Sequence, residues 1–150
     1  MSPGSAALVQ DEAGRILLEH RQDSERWGLP GGAMDLGETA ADTVVRETRE
    51  KTGLEIAPHR LLDLHSGSET VYPNGDRVFI FSMLFECCIV GGQLRPDGRE
   101  SLEAHLFPPD DLPSLVPEHE TRLKRRAGEP GPCWNFCLKC GLVDHWTAAG

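Results

Sequence analysis

Positive charge is scarce in this chain. Fifteen Lys and Arg stand against 24 Asp and Glu, for a formal net charge of −9. A general nucleic-acid binder needs a basic footprint to neutralise phosphates, so a nucleic-acid polymer is not an expected partner. A nucleotide is not excluded, because a bound metal reverses the local field. Long apolar runs are missing too. Nothing approaches the roughly 20 residues that cross a bilayer, so no membrane partner is expected. Residues 1–20 lack the basic start and apolar stretch of a secretory leader. The five cysteines are an odd number and do not suggest a disulfide framework. A cytoplasmic setting follows as the expectation. With 150 residues, 39% hydrophobic and 26% charged, the chain suits one soluble globular domain with a real core.

The richest stretch runs from Gly32 to Leu54. Just before it, Trp27-Gly28-Leu29-Pro30-Gly31-Gly32 cannot be helical and reads as a tight, irregular turn where backbone approaches a ligand closely. Thr39 is a good N-cap, and Asp42 three residues on completes a capping-box-like pair. From Ala40 to Thr52 there is neither Gly nor Pro, Ala40, Ala41, Val44, Val45 and Thr48 supply an inner face, and Gly53 is a good stop. The spacing predicts a loop followed by a helix of about three to four turns. Residues three and four apart share a helix face, so Glu47, Glu50 and Lys51 are neighbours. Two carboxylates on one face suit Mg²⁺, which takes a few carboxylates and completes its shell with water and phosphate oxygens. The plainer alternative is a solvated face with a Glu47–Lys51 pair.

These residues resemble the signature of the Nudix hydrolase superfamily, Gly-x5-Glu-x7-Arg-Glu-U-x-Glu-Glu-x-Gly-U, with U aliphatic. Gly32, Glu38, Arg46, Glu47, Glu50, Gly53 and Leu54 fit, while Thr48 replaces the aliphatic residue and Lys51 replaces the second Glu of the pair. The resemblance implies an α/β fold, a Nudix-type α/β/α sandwich around a mixed β-sheet. It implies hydrolysis of a diphosphate linkage in a nucleoside diphosphate derivative, with Mg²⁺ or Mn²⁺ as cofactor. It also implies that Gly31, through its carbonyl, and Glu47 and Glu50 hold metal, and that Glu38 and Arg46 pair to brace loop against helix.

Lys51 departs from that pattern at a metal-ligand position. An ammonium has three donors and no acceptor, so it cannot coordinate. Glu47 and Glu50 then carry a metal alone, or a carboxylate from elsewhere replaces the missing ligand, or hydrolysis is lost and Lys51 contacts phosphate as a point charge. The last of these defines an alternative function, a nucleotide-binding or sensor module.

Elsewhere, Ala6–Val9 and Arg15–His20 read as a hairpin, and Arg21, within a polar connector, is a candidate substrate contact. Pro58 is expected to break the chain after the helix. Asn74-Gly75 is a strong hairpin signal. Arg77–Val90 reads as a central strand covered on both faces, with Cys87 and Cys88 as buried packing residues on its opposite faces. Glu100 and Glu103 lie where a further carboxylate would come from, and with Glu47 and Glu50 they are the candidates to orient or deprotonate a water. Trp27 and Tyr72 are candidate stacking partners for a nucleobase. Pro117 opens a second helix through about Ala127, whose Arg122, Lys124, Arg125 and Arg126 are expected to complement its dipole.

Residues 1–127 are read as the hydrolase domain and 128–150 as a tail after the Gly128–Pro132 linker. In the tail, Cys137-x-x-Cys140 is half of a zinc-ribbon spacing, and Cys133 and His145 are the candidates to complete a Cys₃His set, the alternative to a plain apolar tail. It also carries Trp134, Phe136, Leu138 and Trp146, which are expected to pack on the domain or on a second subunit as a homodimer.

Overall fold

The computed structural model describes residues 2–128, 133–137 and 141–147, with side chains described for 2–66 and 69–124. The chain runs β1 (Ser2–Gln10), β2 (Ile16–Arg21), β3 (Trp27–Gly28), β4 (Gly31–Ala33), α1 (Ala40–Thr52), β5 (Leu54–Val71), β6 (Arg77–Gly92), β7 (Ser101–Phe107), α2 (Pro117–Gly128), β8 (Cys133–Cys137) and β9 (Gly141–Thr147). The strands form one mixed sheet in the order β3-β2-β1-β6-β5-β8-β9, with β4 joined to β1 and β7 to β2. β1 runs parallel to β6, from Ser2 opposite Ile80 to Gln10 opposite Cys88. The other strand pairs are antiparallel.

Alternation along the strands builds a core on each face. Ala7, Val9, Leu17, Leu61, Phe85 and Cys87 meet Val44 of α1 on one side. Ala6, Leu8, Ile16, Leu18, Leu62 and Leu84 meet Leu115 and, from α2, Leu123 on the other. Helices on both faces of one mixed sheet make the α/β/α sandwich. No helix among the described residues is long and apolar enough to cross a membrane.

Several sequence expectations are corrected. β1 and β2 are paired at Gln10 and Ile16 beside their turn, but β2 finds its long partner in β7. The Gly-rich stretch is not wholly irregular: Trp27-Gly28 pairs with β2 and Gly31–Ala33 pairs with β1. Its backbone finds ladder partners on both sides of Leu29-Pro30, which wedges it between the two strands. Pro58 does not end anything. It lies inside β5 opposite Cys87, next to a register irregularity, where its missing N–H is tolerated. β6 is central, but its cover is partial. Leu84, Phe85 and Cys87 are buried, whereas Phe79 and Val90 are exposed, because the two cores reach the middle of the strand and not its ends. Cys88 is accordingly exposed and only Cys87 of the pair is buried. The Asn74-Gly75 hairpin joins β5 to β6 as read, with Val71 opposite Arg77. The side chains of Cys133, Cys137, Cys140 and His145 lie outside those described, as do those of Arg125 and Arg126.

Candidate active site

α1 is fixed at both ends. Thr39 Oγ1 accepts from Asp42 N and Asp42 Oδ2 accepts from Thr39 N, a complete capping box. Gly53 closes the helix at φ 80°, and a Cβ there would run into the Gln93 carbonyl oxygen. Between the caps, one helix face looks at the Gly-rich segment. The approach is so close that a Cβ on Gly32 would collide with the Glu47 carboxylate.

Arg46 is the centre of one network on this face. Its Nε and Nη2 donate to the two oxygens of Glu38, and Nη2 also donates to the Ala33 carbonyl at 3.1 Å. Nη1 donates to Glu47 at 3.0 Å and to Glu50 at 3.3 Å. Glu38 Oε2 accepts as well from Asp35 N and Thr43 Oγ1, each at 3.0 Å. These donors, Arg46 foremost, hold the Glu38 carboxyl down at about 2, and the same pairing raises the pKa of Arg46. The loop–helix brace implied by the resemblance is thus present as a hydrogen-bonded fork.

Lys51 is the centre of a second network. Its side chain is buried, with 10% exposure, and Nζ donates to the Gly31 carbonyl at 2.6 Å. Three carboxylates surround the ammonium: Glu47 at 3.5 Å, Glu100 at 3.7 Å and Glu19 at 3.8 Å. Glu19 is 1% exposed, and its Oε2 has no hydrogen-bond partner among the described residues. Burial pushes its carboxyl up to about 7, against the opposing pull of Lys51 and Arg21.

Two cavities open beside Lys51. One, of about 320 Å³, is lined among others by Tyr72, Ile80, His119 and Arg122. The other, of about 540 Å³, is lined by Gln22, Asp23 and Glu100. Arg21 and Lys51 line both.

Of the residues chosen from sequence, Gly31, Glu47, Glu100, Arg21, Lys51 and Tyr72 are brought together here. Glu50 sits at the exposed edge, reached by Arg46. Glu103 is exposed and accepts from His105 Nε2 at 3.2 Å. Trp27 packs against His20, His105 and Phe107 rather than lining either cavity.

Three site residues escaped the sequence reading. Glu19 gave one signal, a charge directly after the apolar run Ile16–Leu18, within a predicted strand. His119 gave none. Its Nδ1 accepts from Leu29 N at 2.9 Å, and burial, helped by the charges of Arg21 and Arg122, lowers its pKa to about 4. Arg122 was expected to serve the helix dipole. It is instead buried and forks onto Asp63, at 2.7 and 3.3 Å, and Ser82 Oγ, at 3.1 Å. A guanidinium's fixed fork suits such a partly buried carboxylate, and the helix turns Arg122 inward.

An acidic helix face is pressed on a glycine-rich strand, beside cavities lined by Arg21 and Lys51, in an α/β/α sandwich. The NUDIX domain family model matches residues 2–127, and the chain belongs to the Nudix family. It is 35% identical to the ADP-ribose pyrophosphatase of Methanocaldococcus jannaschii over 77% of this chain and 68% of that protein. It is also 34% identical to a Bacillus subtilis relative over 71% of this chain, and there it spans only 50% of the relative's length. Among solved structures, it is similar to the MutT NUDIX hydrolase from Burkholderia pseudomallei. The TM-score is 0.70 with 26% identity, covering 82% of this chain and 95% of that one.

Nudix hydrolases generally use a divalent metal ion. The residues here do not fit one in the manner the signature implies. The Gly31 carbonyl already accepts from an ammonium, and Glu47 is shared between Arg46 and Lys51. Glu19, Glu47 and Glu100 are gathered on the Lys51 ammonium, and among the described residues no group of three or more His, Cys, Asp or Glu side chains is spaced to hold a metal ion by itself.

Proposed function

We propose that this domain hydrolyses the diphosphate linkage of a nucleoside diphosphate derivative, with ADP-ribose the first substrate to try. The observation that carries the proposal is the pair Arg21 and Lys51, each lining both cavities. A diphosphate carrying a group at each end suits two cavities that share two cations: its charge lies between Arg21 and Lys51 and its ends occupy either side. Tyr72 gives the smaller cavity an aromatic wall for a nucleobase. The M. jannaschii relative, named for ADP-ribose, supports this choice among substrates.

Hydrolysis adds water in line to one phosphorus. A new P–O bond forms as the bridging P–O bond breaks, and two phosphomonoesters leave. Arg21 and Lys51 neutralise the charge that gathers on the bridging oxygen. The proton of the water goes to a carboxylate. In this proposal Glu100 takes it, a choice supported by its exposure to the larger cavity and its distance of 3.7 Å from Lys51 Nζ. Glu47 orients Lys51, and Glu50 and Glu103 stand outside the site. In this reading the ammonium takes the place expected for Mg²⁺ or Mn²⁺ at Gly31.

The test is a panel of ADP-ribose, nucleotide sugars, dinucleoside polyphosphates and nucleoside triphosphates, incubated in Mg²⁺, in Mn²⁺ and in chelator, with phosphomonoester products resolved by chromatography. Release of AMP and ribose 5-phosphate from ADP-ribose is the expected result. No product from any substrate in any buffer contradicts the proposal.

A further inference from the structure

We infer that the Lys51 ammonium is the resident cation of this site, standing where the family places a divalent metal ion, and that the domain binds a diphosphate without a metal at the Gly31 carbonyl. The second half rests on the diphosphate reading above; the first does not.

Four observations carry it. Nζ lies 2.6 Å from the carbonyl oxygen of Gly31, a direct ammonium–carbonyl hydrogen bond. A metal ion bound to that same oxygen at about 2.1 Å would stand within roughly 5 Å of Nζ, a double positive charge beside a like charge. The side chain is also anchored. It is nine-tenths buried, and its withdrawal would strand Glu19, itself almost wholly buried, without the nearest positive charge. The signature carboxylates are already compensated: Arg46 donates to both Glu47 and Glu50, and Lys51 pairs with Glu47. Finally, the acceptors around Nζ form the kind of oxygen shell a cation seeks. One carbonyl accepts a hydrogen bond from Nζ, and three carboxylates lie within 4 Å of it as ion pairs. Glu100 is the exposed member and is the one that yields when a diphosphate oxygen arrives.

The decisive experiment is a Mn²⁺ titration read from the electron paramagnetic resonance signal of the unbound ion. It is run on the wild-type chain, on Glu47→Gln, on Lys51→Glu, and on Lys51→Glu combined with Glu47→Gln. The wild type is expected to leave the signal of the added ion undiminished. Lys51→Glu puts a carboxylate back beside Gly31 and is expected to take up one Mn²⁺, and the double variant to lose it again. One Mn²⁺ bound tightly by the wild type and released by Glu47→Gln would overturn the inference. Should Lys51→Glu fail to fold, as judged by circular dichroism, the wild-type titration and its Glu47→Gln control decide alone. For the second half, calorimetry with ADP is run in chelator and in Mg²⁺. Affinities within about twofold of each other, and a loss of about tenfold or more in Lys51→Met, are expected; binding that disappears in chelator contradicts it. If ADP binds without metal yet nothing in the substrate panel is cleaved, the hydrolase reading has failed and the cation inference stands.

Discussion

Two cations on one helix, five residues apart, share Glu47 and live under different physics. Arg46 sits at the edge, partly exposed, and gathers acceptors close in sequence: Ala33, Asp35, Glu38, Glu47 and Glu50. Lys51 sits inside and gathers acceptors from two strands, its own helix and a turn: Glu19 of β2, Gly31 of β4, Glu47 of α1, and Glu100 just before β7. The planar guanidinium makes a two-pronged bond with Glu38. The ammonium is a compact point charge in a shell of oxygens, which is what lets it stand for a metal ion. The first arrangement stitches a loop to a helix. The second ties four elements together at the place where chemistry is proposed.

The largest expected difference lies in stability. Lys51→Met leaves Glu19 and the Gly31 carbonyl without the ammonium and Glu47 with Arg46 alone, and breaking a buried pair costs about 3–5 kcal/mol. Arg46→Met removes charge-assisted hydrogen bonds from a half-exposed fork and should cost about 1–2 kcal/mol. Urea unfolding of the two variants checks the order; a greater loss at Arg46 would break the comparison.

The second difference is in pH dependence, and its sign is opposite on the two sides. Glu38, beside Arg46, titrates below its unfolded value of 4.5, at about 2. Its contribution is present above pH 4.5 and is lost as pH falls toward 2. Glu19, beside Lys51, titrates above 4.5, at about 7. Its contribution is present below 4.5 and is lost as pH rises through about 7. Urea midpoints across pH 2–8 should therefore show Glu38→Gln flattening the acid limb and Glu19→Gln flattening the loss between pH 5 and 8. The same slope in Glu19→Gln as in wild type would show that the buried carboxyl does not titrate as described. His119 adds to the acid side: its pKa, lowered from 6.5 to about 4, makes stability fall as pH drops through that interval. His119→Asn, which keeps an acceptor for Leu29 N, should remove that part.

The smallest effect is expected at Glu50, an exposed carboxylate held by Arg46 at 3.3 Å. Glu50→Gln should change stability by about 0.5 kcal/mol or less and turnover by about threefold or less. Loss of turnover would mean that Glu50 holds a metal after all.

The Arg46 side was legible in the sequence because its parts are local. A capping box and a C-terminal glycine announce themselves within a few residues, and the pairing of Glu38 with Arg46 was implied by the resemblance. The Asn-Gly hairpin was legible for the same reason, as turn chemistry, and the apolar faces of Arg77–Val90 announced the two-sided cover that the middle of the strand has. The Lys51 side was half legible. Its departure from the signature was plain, and so was its proximity to Glu47. Its partners were not, since Glu19 and Glu100 reach it only through strand pairing between β2 and β7. Arg122 and His119 were hidden likewise, because which face of α2 turns inward is settled by Asp63, Ser82 and Leu29, far away in sequence. Pro58 and Cys88 misled because a bulge accommodates the one and the cores end short of the other.

The most direct measurement is the melting temperature of wild type and Lys51→Glu, each in chelator and in millimolar Mn²⁺. An ion that binds the native state raises its stability by mass action, by about 2.7 kcal/mol at a hundredfold excess over the dissociation constant. If Lys51 is the resident cation, the wild type melts at the same temperature in both buffers and Lys51→Glu melts higher in Mn²⁺. A wild type that gains several degrees in Mn²⁺, while Lys51→Glu gains nothing, would contradict the account.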